Sequence, residues 1–331
     1  MKIISKITRF AMIAALVLGV SSCDDDDDGG TPDTPATLNI VELAIADTDN
    51  LSSLVAALTA VDTQEGVDLI ATLTGSTNYT VLAPTNEAFQ TFLDDNNYAD
   101  LSEVPLEVLT MVLKNHVIEG TVEAADLAAE GAGYTTTLAD AGPDGNLLSI
   151  YYNTADGVEF NGVSSVIDAD IAATNGVVHV VDAVIGLPDV TTFATADTNF
   201  SSLVEGLTAY NFTYVSTLQG EGPFTVFAPD NAAFDALLAT NDDWNAPGDI
   251  DELTLGGALT LHVITDANVR AADLTDGDVT TLGGDVTIDA TAATITDGSD
   301  PAVVSTITAT DVQATNGVIH MIDTVLLTPL Q

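Results

Sequence analysis

Basic residues are nearly missing from this 331-residue chain: five Lys and Arg stand against fifty Asp and Glu, a formal charge of −45. Three of the five, Lys2, Lys6 and Arg9, open the sequence, which leaves only Lys114 and Arg270 for everything after residue 9. A surface so short of cations cannot release counterions from a phosphate backbone or settle on anionic lipid, so nucleic-acid binding and direct membrane-surface binding are excluded. Cysteine occurs once, at Cys23. No disulfide can close within the chain, and a stable fold has to come from packing alone. The N-terminal apolar run, Phe10 to Val20, is shorter than the roughly 20 residues that a membrane-spanning helix needs. Aromatic residues make up 5% of the chain, and the single tryptophan, Trp244, sits in an acidic loop (Asn241 to Gly248), where it is expected to pack as a lid over a neighbouring helix. The motifs of hydrolytic and phosphate chemistry are missing too: no G-x-S-x-G elbow, no H-E-x-x-H pair and no glycine-rich phosphate loop. With so many carboxylates a glycosidase-type acid pair is possible by count, but no spacing singles one out. The expectation is a protein that does not catalyse.

What is present begins with an address. Lys2, Lys6 and Arg9 form a positive n-region ahead of the apolar run, so residues 1–22 read as a signal peptide. Ser21 and Ser22 lead into Cys23, an arrangement that resembles a bacterial lipobox and implies acylation of that thiol at the new N-terminus. One acyl chain anchors marginally and several anchor stably; the resemblance implies three. Residues 23–36, with Asp24 to Asp28, Gly29, Gly30 and two prolines, have nothing to bury and read as a tether. The aspartates mimic the start of a calcium loop, but Pro35 stands where that loop needs its bidentate glutamate. The tract is similar to the surface-export signal of Bacteroidota lipoproteins. The expected location is an outer-membrane lipoprotein exposed on the cell surface, with the final leaflet left open. Once cleaved, the chain would carry two basic and fifty acidic residues, a charge of −48. That acidity suits a soluble surface in a salty medium; weak, diffuse calcium loading is the alternative, and no other cofactor or metal is expected.

The rest of the chain is written twice. LSSLVAALTA from Leu51 is answered by FSSLVEGLTA from Phe200, YTVLAPTNEAF from Tyr79 by FTVFAPDNAAF from Phe224, and NHVI from Asn115 by LHVI from Leu261. TNGVVHVVDAVI from Thr174 is answered by TNGVIHMIDTVL from Thr315, and the offsets between paired blocks lie between 141 (174 to 315) and 149 (51 to 200). The period is far too long for a solenoid repeat and marks a duplicated domain, residues 37–187 and 188–331. Leu51, Leu54, Val55 and Leu58 fall on one helix face, as do Phe200, Leu203, Val204 and Leu207, with Asn50 and Asn199 placed to cap them. Short β-prone runs end at Pro84 and Pro229, Thr85 and Asp230 follow as N-caps, and Phe89 and Phe234 start the next apolar stripe. Turns at Asn175-Gly176 and Asn316-Gly317 open valine- and isoleucine-rich runs that read as buried strands. Thr-, Val-, Gly- and Asp-rich segments between His116 and Asp170, and between His262 and Asp311, suit hairpins. Helices first and strands last predict an α+β fold. Gly256-Gly257 is expected to weaken the helix that leads to His262.

TVLAPTNEAF and TVFAPDNAAF, followed by NGVVHVVD and NGVIHMID, resemble the two hallmark motifs of the fasciclin domain, and the resemblance covers nearly all of residues 37 to 331. It implies, for each copy, a β-sandwich wedge with helices packed along one side. It also implies a role in adhesion to extracellular protein, polysaccharide or other cells, with the membrane reached only through the lipid. Pro84, Phe89, Asn175, Gly176, His179 and Asp182, with Pro229, Phe234, Asn316, Gly317, His320 and Asp323, are then structural motif residues. The family's tyrosine-histidine adhesion motif keeps its histidine at His116 and His262 but has Asn115 and Leu261 at the tyrosine position. Its Asp-Ile pair matches Asp170 and Ile171, and appears in the second copy as Asp311 and Val312. These six are the candidate adhesion residues; a turn-capping aspartate before a core aliphatic is the competing reading of the pair. All four histidines occupy matching places, which ties them to the fold and not to one metal or catalytic site.

Overall fold

The computed structural model describes residues 36–328. The leader, Cys23 and residues 24–35 of the tether lie outside the described residues.

In the first half, helices α1 (Ile40–Ala46), α2 (Thr48–Val61) and α3 (Leu69–Thr74) precede strand β1 (Tyr79–Pro84). Then come α4 (Asn86–Asp95), α5 (Leu106–Asn115), β2 (Val117–Glu119), α6 (Ala124–Glu130), β3 (Ala132–Thr136), β4 (Ser149–Asn153), β5 (Glu159–Phe160), β6 (Ser164–Ala173) and β7 (Gly176–Val181). The second half repeats the series as α7 (Val190–Ala196), α8 (Ser201–Thr208), α9 (Thr213–Leu218), β8 (Phe224–Pro229), α10 (Asn231–Leu238), α11 (Glu252–Leu261) and β9 (Val263–Thr265). It closes with β10 (Gly277–Thr281), β11 (Gly284–Asp289), β12 (Thr294–Thr296), β13 (Val304–Ala314) and β14 (Gly317–Ile322).

Each half builds one seven-stranded sheet, in the order β2-β1-β7-β6-β5-β4-β3 and, running the same way, β9-β8-β14-β13-β12-β11-β10. The α+β duplication is therefore reproduced strand for strand. One pair in each sheet is parallel, β1 with β7 and β8 with β14, and the remaining pairs are antiparallel. A parallel pair needs a long crossover, and here almost the whole domain is inserted between its two strands. At the far edges Leu138 N–H donates to Val117 O (2.9 Å) and Leu282 N–H to Val263 O (2.7 Å), so each sheet rolls until its first and last strands meet.

Rolling gives every domain two apolar layers. Alternate residues of the central strands, Val81, Ala83, Val178 and Val180, face the helices and pack with Leu54, Leu58 and Phe89. Their neighbours Leu82 and Val181 point into the roll, against Ile118, Ile150, Tyr152 and Phe160. β1 is consequently buried along its entire length, the pattern of a strand covered on both faces. The second domain matches it, with Ala228, Ile319, Phe234 and Leu203 on the helix side and Phe227, Ile322, Val286 and Ile288 inside. Phe89 and Phe234 are the anchors of α4 and α10, and each fully buried ring contributes roughly 1.5–3 kcal/mol. Pro84 and Pro229 end their strands, and Thr85 and Asp230 accept from Ala88 N–H (3.1 Å) and Ala233 N–H (2.8 Å) to start those helices.

Three local expectations change. The cap of α2 is Asp47 and not Asn50, whose side chain donates back to Asp47 at 2.9 Å. Asn199 likewise donates to Asp197 (2.9 Å) from inside a short 3-10 turn, and α8 starts at Ser201. A carboxylate accepts more strongly at a helix N-terminus than an amide, so aspartate takes the capping role. The stretch expected to hold only hairpins also contains α6, capped by reciprocal bonds between Glu123 and Asp126. The Gly256-Gly257 pair lies inside α11, where a Cβ at Gly256 would come 2.9 Å from Phe212 Cε1 and one at Gly257 3.0 Å from Thr328 Oγ1, so the glycines make room for packed neighbours. Trp244 is partly buried against the second domain's helix-side core.

Candidate binding surface around the duplicated bulge

β6 and β13 each lose register against their neighbour, between Asp168 and Ile171 and between Ala309 and Val312. The irregular residues include Asp170 (φ 59°) and Asp311 (φ 64°), in the left-handed region that aspartate tolerates better than most side chains. The bulge turns each backbone N–H toward a buried histidine: Asp170 donates to His179 Nδ1 (3.2 Å) and Asp311 to His320 Nδ1 (3.4 Å). The opposite nitrogen, Nε2–H, donates to Val122 O (2.9 Å) or Val269 O (2.8 Å). That exchange fixes the neutral tautomer; in the second domain burial above all lowers the His320 pKa. The aspartate carboxylates then cap the segment after the short edge strand, accepting from Ala124 N–H and Ala271 N–H, both at 2.8 Å.

His116 and His262 lie elsewhere, at the ends of α5 and α11. Each donates Nδ1–H to the carbonyl one turn back, Val112 (2.7 Å) or Ala258 (2.8 Å). Each accepts at Nε2 from the chain that leaves the sheet, Ile185 N–H (2.9 Å) or Leu326 N–H (3.1 Å). Desolvation pushes both pKa values down to about 4. Neither histidine joins the aspartate of its own domain, so the six candidate residues form two separate constellations per domain. All four imidazoles have both nitrogens engaged with backbone, which leaves none for a metal or a reacting proton.

The remaining motif residues are braces. Asn175 accepts from Ile40 N–H (3.0 Å) and donates to Leu73 O (2.7 Å), joining the start of α1 to the end of α3, and Asn316 joins Val190 N–H (3.0 Å) to Leu218 O (2.8 Å). Gly176 (φ 139°) passes so close to β1 that a Cβ would lie 1.8 Å from Tyr79 O; at Gly317 it would lie 2.3 Å from Phe224 O. Asp182 and Asp323 extend the ladder by accepting from Ser165 N–H and Thr306 N–H, both at 2.7 Å. Burial opposes ionisation of Asp323, yet bonds from Thr306, Thr324 and Ser305 hold its carboxyl below the ordinary range. A brace absent from the sequence reading is Asn86, whose carboxamide accepts from Ser53 N–H (2.7 Å) and donates to Asp49 O (2.9 Å); Asn231 does the same with Ser202 N–H and Thr198 O, both at 2.9 Å. The signal was present, since both follow the capping residue in the paired APTN and APDN blocks.

The two bulges differ in what surrounds them. The β3–β4 hairpin of the first domain lies on β13 and α7 of the second. Tyr134 Oη donates to the buried Asp197 (2.8 Å), its ring meets Phe193 edge-on (5.6 Å), and Gln313 N–H donates to Ser149 Oγ (2.9 Å). Burial first, then the charge of Asp197, raise the Tyr134 pKa above its usual value. Arg270 spans the junction, donating to Asn146 Oδ1 (2.9 Å) and lying 3.5 Å from Asp311. Asp311 keeps 27% of its side chain exposed against 42% for Asp170; Val312, within the second domain's helix-side core, is 4% exposed, whereas Ile171 is half-buried against the first domain's.

Two rolled seven-stranded sheets, each carrying the paired buried motifs and the histidine-braced bulge, define a tandem of one module type. The fasciclin-domain pattern matches residues 49–188 and 198–328, and the chain belongs to the fasciclin-domain family. It is 39% identical over 138 residues to protein sll1483 of Synechocystis sp., covering 41% of this chain and 72% of that one. It is 27% identical over 256 residues to pig transforming growth factor-beta-induced protein ig-h3, covering 76% of this chain but only 35% of the relative. In fold it matches the FAS1 domain pair of the insect cell adhesion molecule fasciclin I, at TM-score 0.53 and 21% identity over 83% of this chain and 97% of that one. No helix of the described residues is long and apolar enough to cross a membrane.

Proposed function

We propose that this protein is a non-catalytic adhesion module of a bacterial cell surface, tied to the outer membrane by lipid on Cys23 and attaching through its first domain to an extracellular protein or polysaccharide. The observation that carries the reading is the inequivalence of the duplicated pair: Asp170 is exposed and Ile171 half-buried, while Val312 is buried and Asp311 lies beside Arg270, which reaches across to Asn146 of the first domain. The likeness to an insect cell adhesion molecule supports an adhesive role. The surface address is supported by Cys23 at the end of an apolar leader and by Asp24 to Asp28 after it, a tract of the Bacteroidota export type. Several acyl chains on one thiol anchor stably, and the long polar tether lets the domains stand off the membrane.

The test is protease shaving of intact cells joined to an attachment assay in a deletion strain, complemented with the wild-type chain or with Asp170→Ala/Ile171→Ala. Cleavage of the protein on intact cells and attachment restored by the wild type but not by the double variant are expected. A deletion strain that attaches as well as its parent removes the adhesive role, and mass spectrometry finding an unmodified Cys23 removes the anchor. Attachment abolished by chelator would move the reading to cation-bridged association.

A further inference from the structure

The second domain shows what its bulge face does: it seats a β-hairpin. The contact is built from a tyrosine hydroxyl on a helix-capping carboxylate (Tyr134 on Asp197), an aromatic edge on α7 (Phe193), and a cation beside the bulge carboxylate (Arg270 by Asp311). The first domain carries the same face at the same fold positions, and nothing among the described residues covers it. Asp47 caps α2 where Asp197 caps the second copy, Leu43 stands in the place of Phe193, and Asp170 in that of Asp311. Burial records the difference position by position: Gln313 and Ala314 are buried, while Ala172 is exposed and Ala173 half-buried.

One substitution changes the chemistry of the open face. Arg270 precedes the N–H that Asp311 accepts, and Glu123 precedes the N–H that Asp170 accepts. Where the occupied face supplies its own cation, the open face carries Asp170 and, at the position of Arg270, the acidic Glu123, and the cation has to come from the partner. A second copy of this chain cannot bring it. The hairpin of the second domain that corresponds to β3–β4 is β10–β11, where Val286 and Ile288 point inward as Ile150 and Tyr152 do. The register then sets Asp278 and Thr287 where Tyr134 and Tyr151 stand, and those two bond each other at 2.7 Å. Head-to-tail stacking would drive Asp278 against Asp47 and Asp285 against the Asp170 region, carboxylate on carboxylate.

We propose that the β6–α1 face of the first domain is a docking site for a β-hairpin of a different protein chain, one that presents a tyrosine toward Asp47 and a lysine or arginine toward Asp170 and Glu123. This deepens the adhesive reading by naming the chemistry of the partner, and it rests on that reading only for the partner's being extracellular.

The test uses purified full chains, so its outcome is independent of cell attachment. The probe is this chain carrying Asp278→Tyr, Asp285→Arg and Thr287→Tyr, which recreates the required hairpin, with Ala172→Arg added to block its own open face. Sedimentation of probe with wild-type chain is expected to show a one-to-one complex. It should weaken tenfold or more when the wild-type partner is replaced by Ala172→Arg or Asp170→Asn, and weaken again as salt rises from low to about 0.5 M. Circular dichroism checks that the probe is folded; if it is not, the Asp278→Tyr/Asp285→Arg pair with Ala172→Arg carries the same test. Absence of a complex, or a complex indifferent to Asp170 and Ala172, overturns the proposal. So does self-association of the wild-type chain, with or without calcium, because the face would then take a second copy.

Discussion

His262 offers a stability experiment with a built-in reporter. Buried at the end of α11 and bonded at both nitrogens, it has its pKa held at about 4, chiefly by desolvation, against 6.5 in an open chain. Above pH 6.5 neither the folded nor the unfolded chain carries this proton, and the histidine makes no pH-dependent contribution. As the pH falls below 6.5 the unfolded chain takes up the proton first, so stability present at neutral pH is lost progressively until pH 4, below which both states are protonated. Each unit of separation is worth about 1.36 kcal/mol, which gives a loss of about 2 kcal/mol by pH 5 and about 3 kcal/mol by pH 4. Relief of carboxylate repulsion works in the opposite direction on acidification, so the absolute curve is not the test. The comparison is between the wild type and His262→Gln, which keeps a donor and an acceptor but cannot titrate. Urea unfolding followed by the single Trp244, which packs against the second domain's core, is measured at pH 7 and pH 5. The variant is expected to be less stable at pH 7, yet to lose about 2 kcal/mol less than the wild type between the two pH values. Parallel pH dependences would refute the assignment of a buried neutral imidazole.

Replacing Gly176 by Ala forces a Cβ to within 1.8 Å of Tyr79 O at φ 139°, and at least about 3 kcal/mol should be lost from the first domain in thermal unfolding. Asn316→Ala strips the bonds to Val190, Leu218 and Gly220, and a loss of about 2–4 kcal/mol is expected in the second domain by the same measurement. Tyr134→Phe leaves the Asp197 carboxylate buried without its hydroxyl partner; calorimetry should show the two domains uncoupling, with about 1–3 kcal/mol lost. Arg270→Gln should cost less, about 0.5–1 kcal/mol, because its ion pair with Asp311 is partly exposed, and the deficit should shrink in high salt.

Deletion of Val190 to Gln331, as a way to ask whether attachment needs both domains, is confounded for a physical reason. It would strip the cover from Tyr151, which is 1% exposed and packs in the second domain's core, so lost attachment could not be separated from a disturbed first domain. Point substitutions on exposed positions such as Ala172 avoid that difficulty.

Much of the architecture can be read from the residues alone, because its causes are local. The spacing of Leu51, Leu54 and Leu58 sets a helix face, Pro84 ends a strand because it has no N–H to give, and Asn175-Gly176 makes a turn wherever it stands. Duplication of the four blocks then requires two copies of one fold. Other features were out of reach because their partners are distant in sequence. Asp47 wins the cap from Asn50 through the charge of its carboxylate at the helix end, and Gly256 is small because Phe212, which precedes α9, leans on it.

The difference between the copies belongs wholly to the tertiary structure. Asp170-Ile171 and Asp311-Val312 read as equivalents, and in isolation each bulge is built the same way, with its histidine behind it. Which of them is open depends on Tyr134 and Tyr151 facing outward from one hairpin while Asp278 and Thr287 face outward from the other, and on Arg270 standing where the first copy has Glu123. Those letters are visible in the chain, but their effect is not. It arises only when the roll of the first sheet carries its hairpin onto β13, setting one aspartate beside Arg270 at a domain junction and leaving the other more exposed to water.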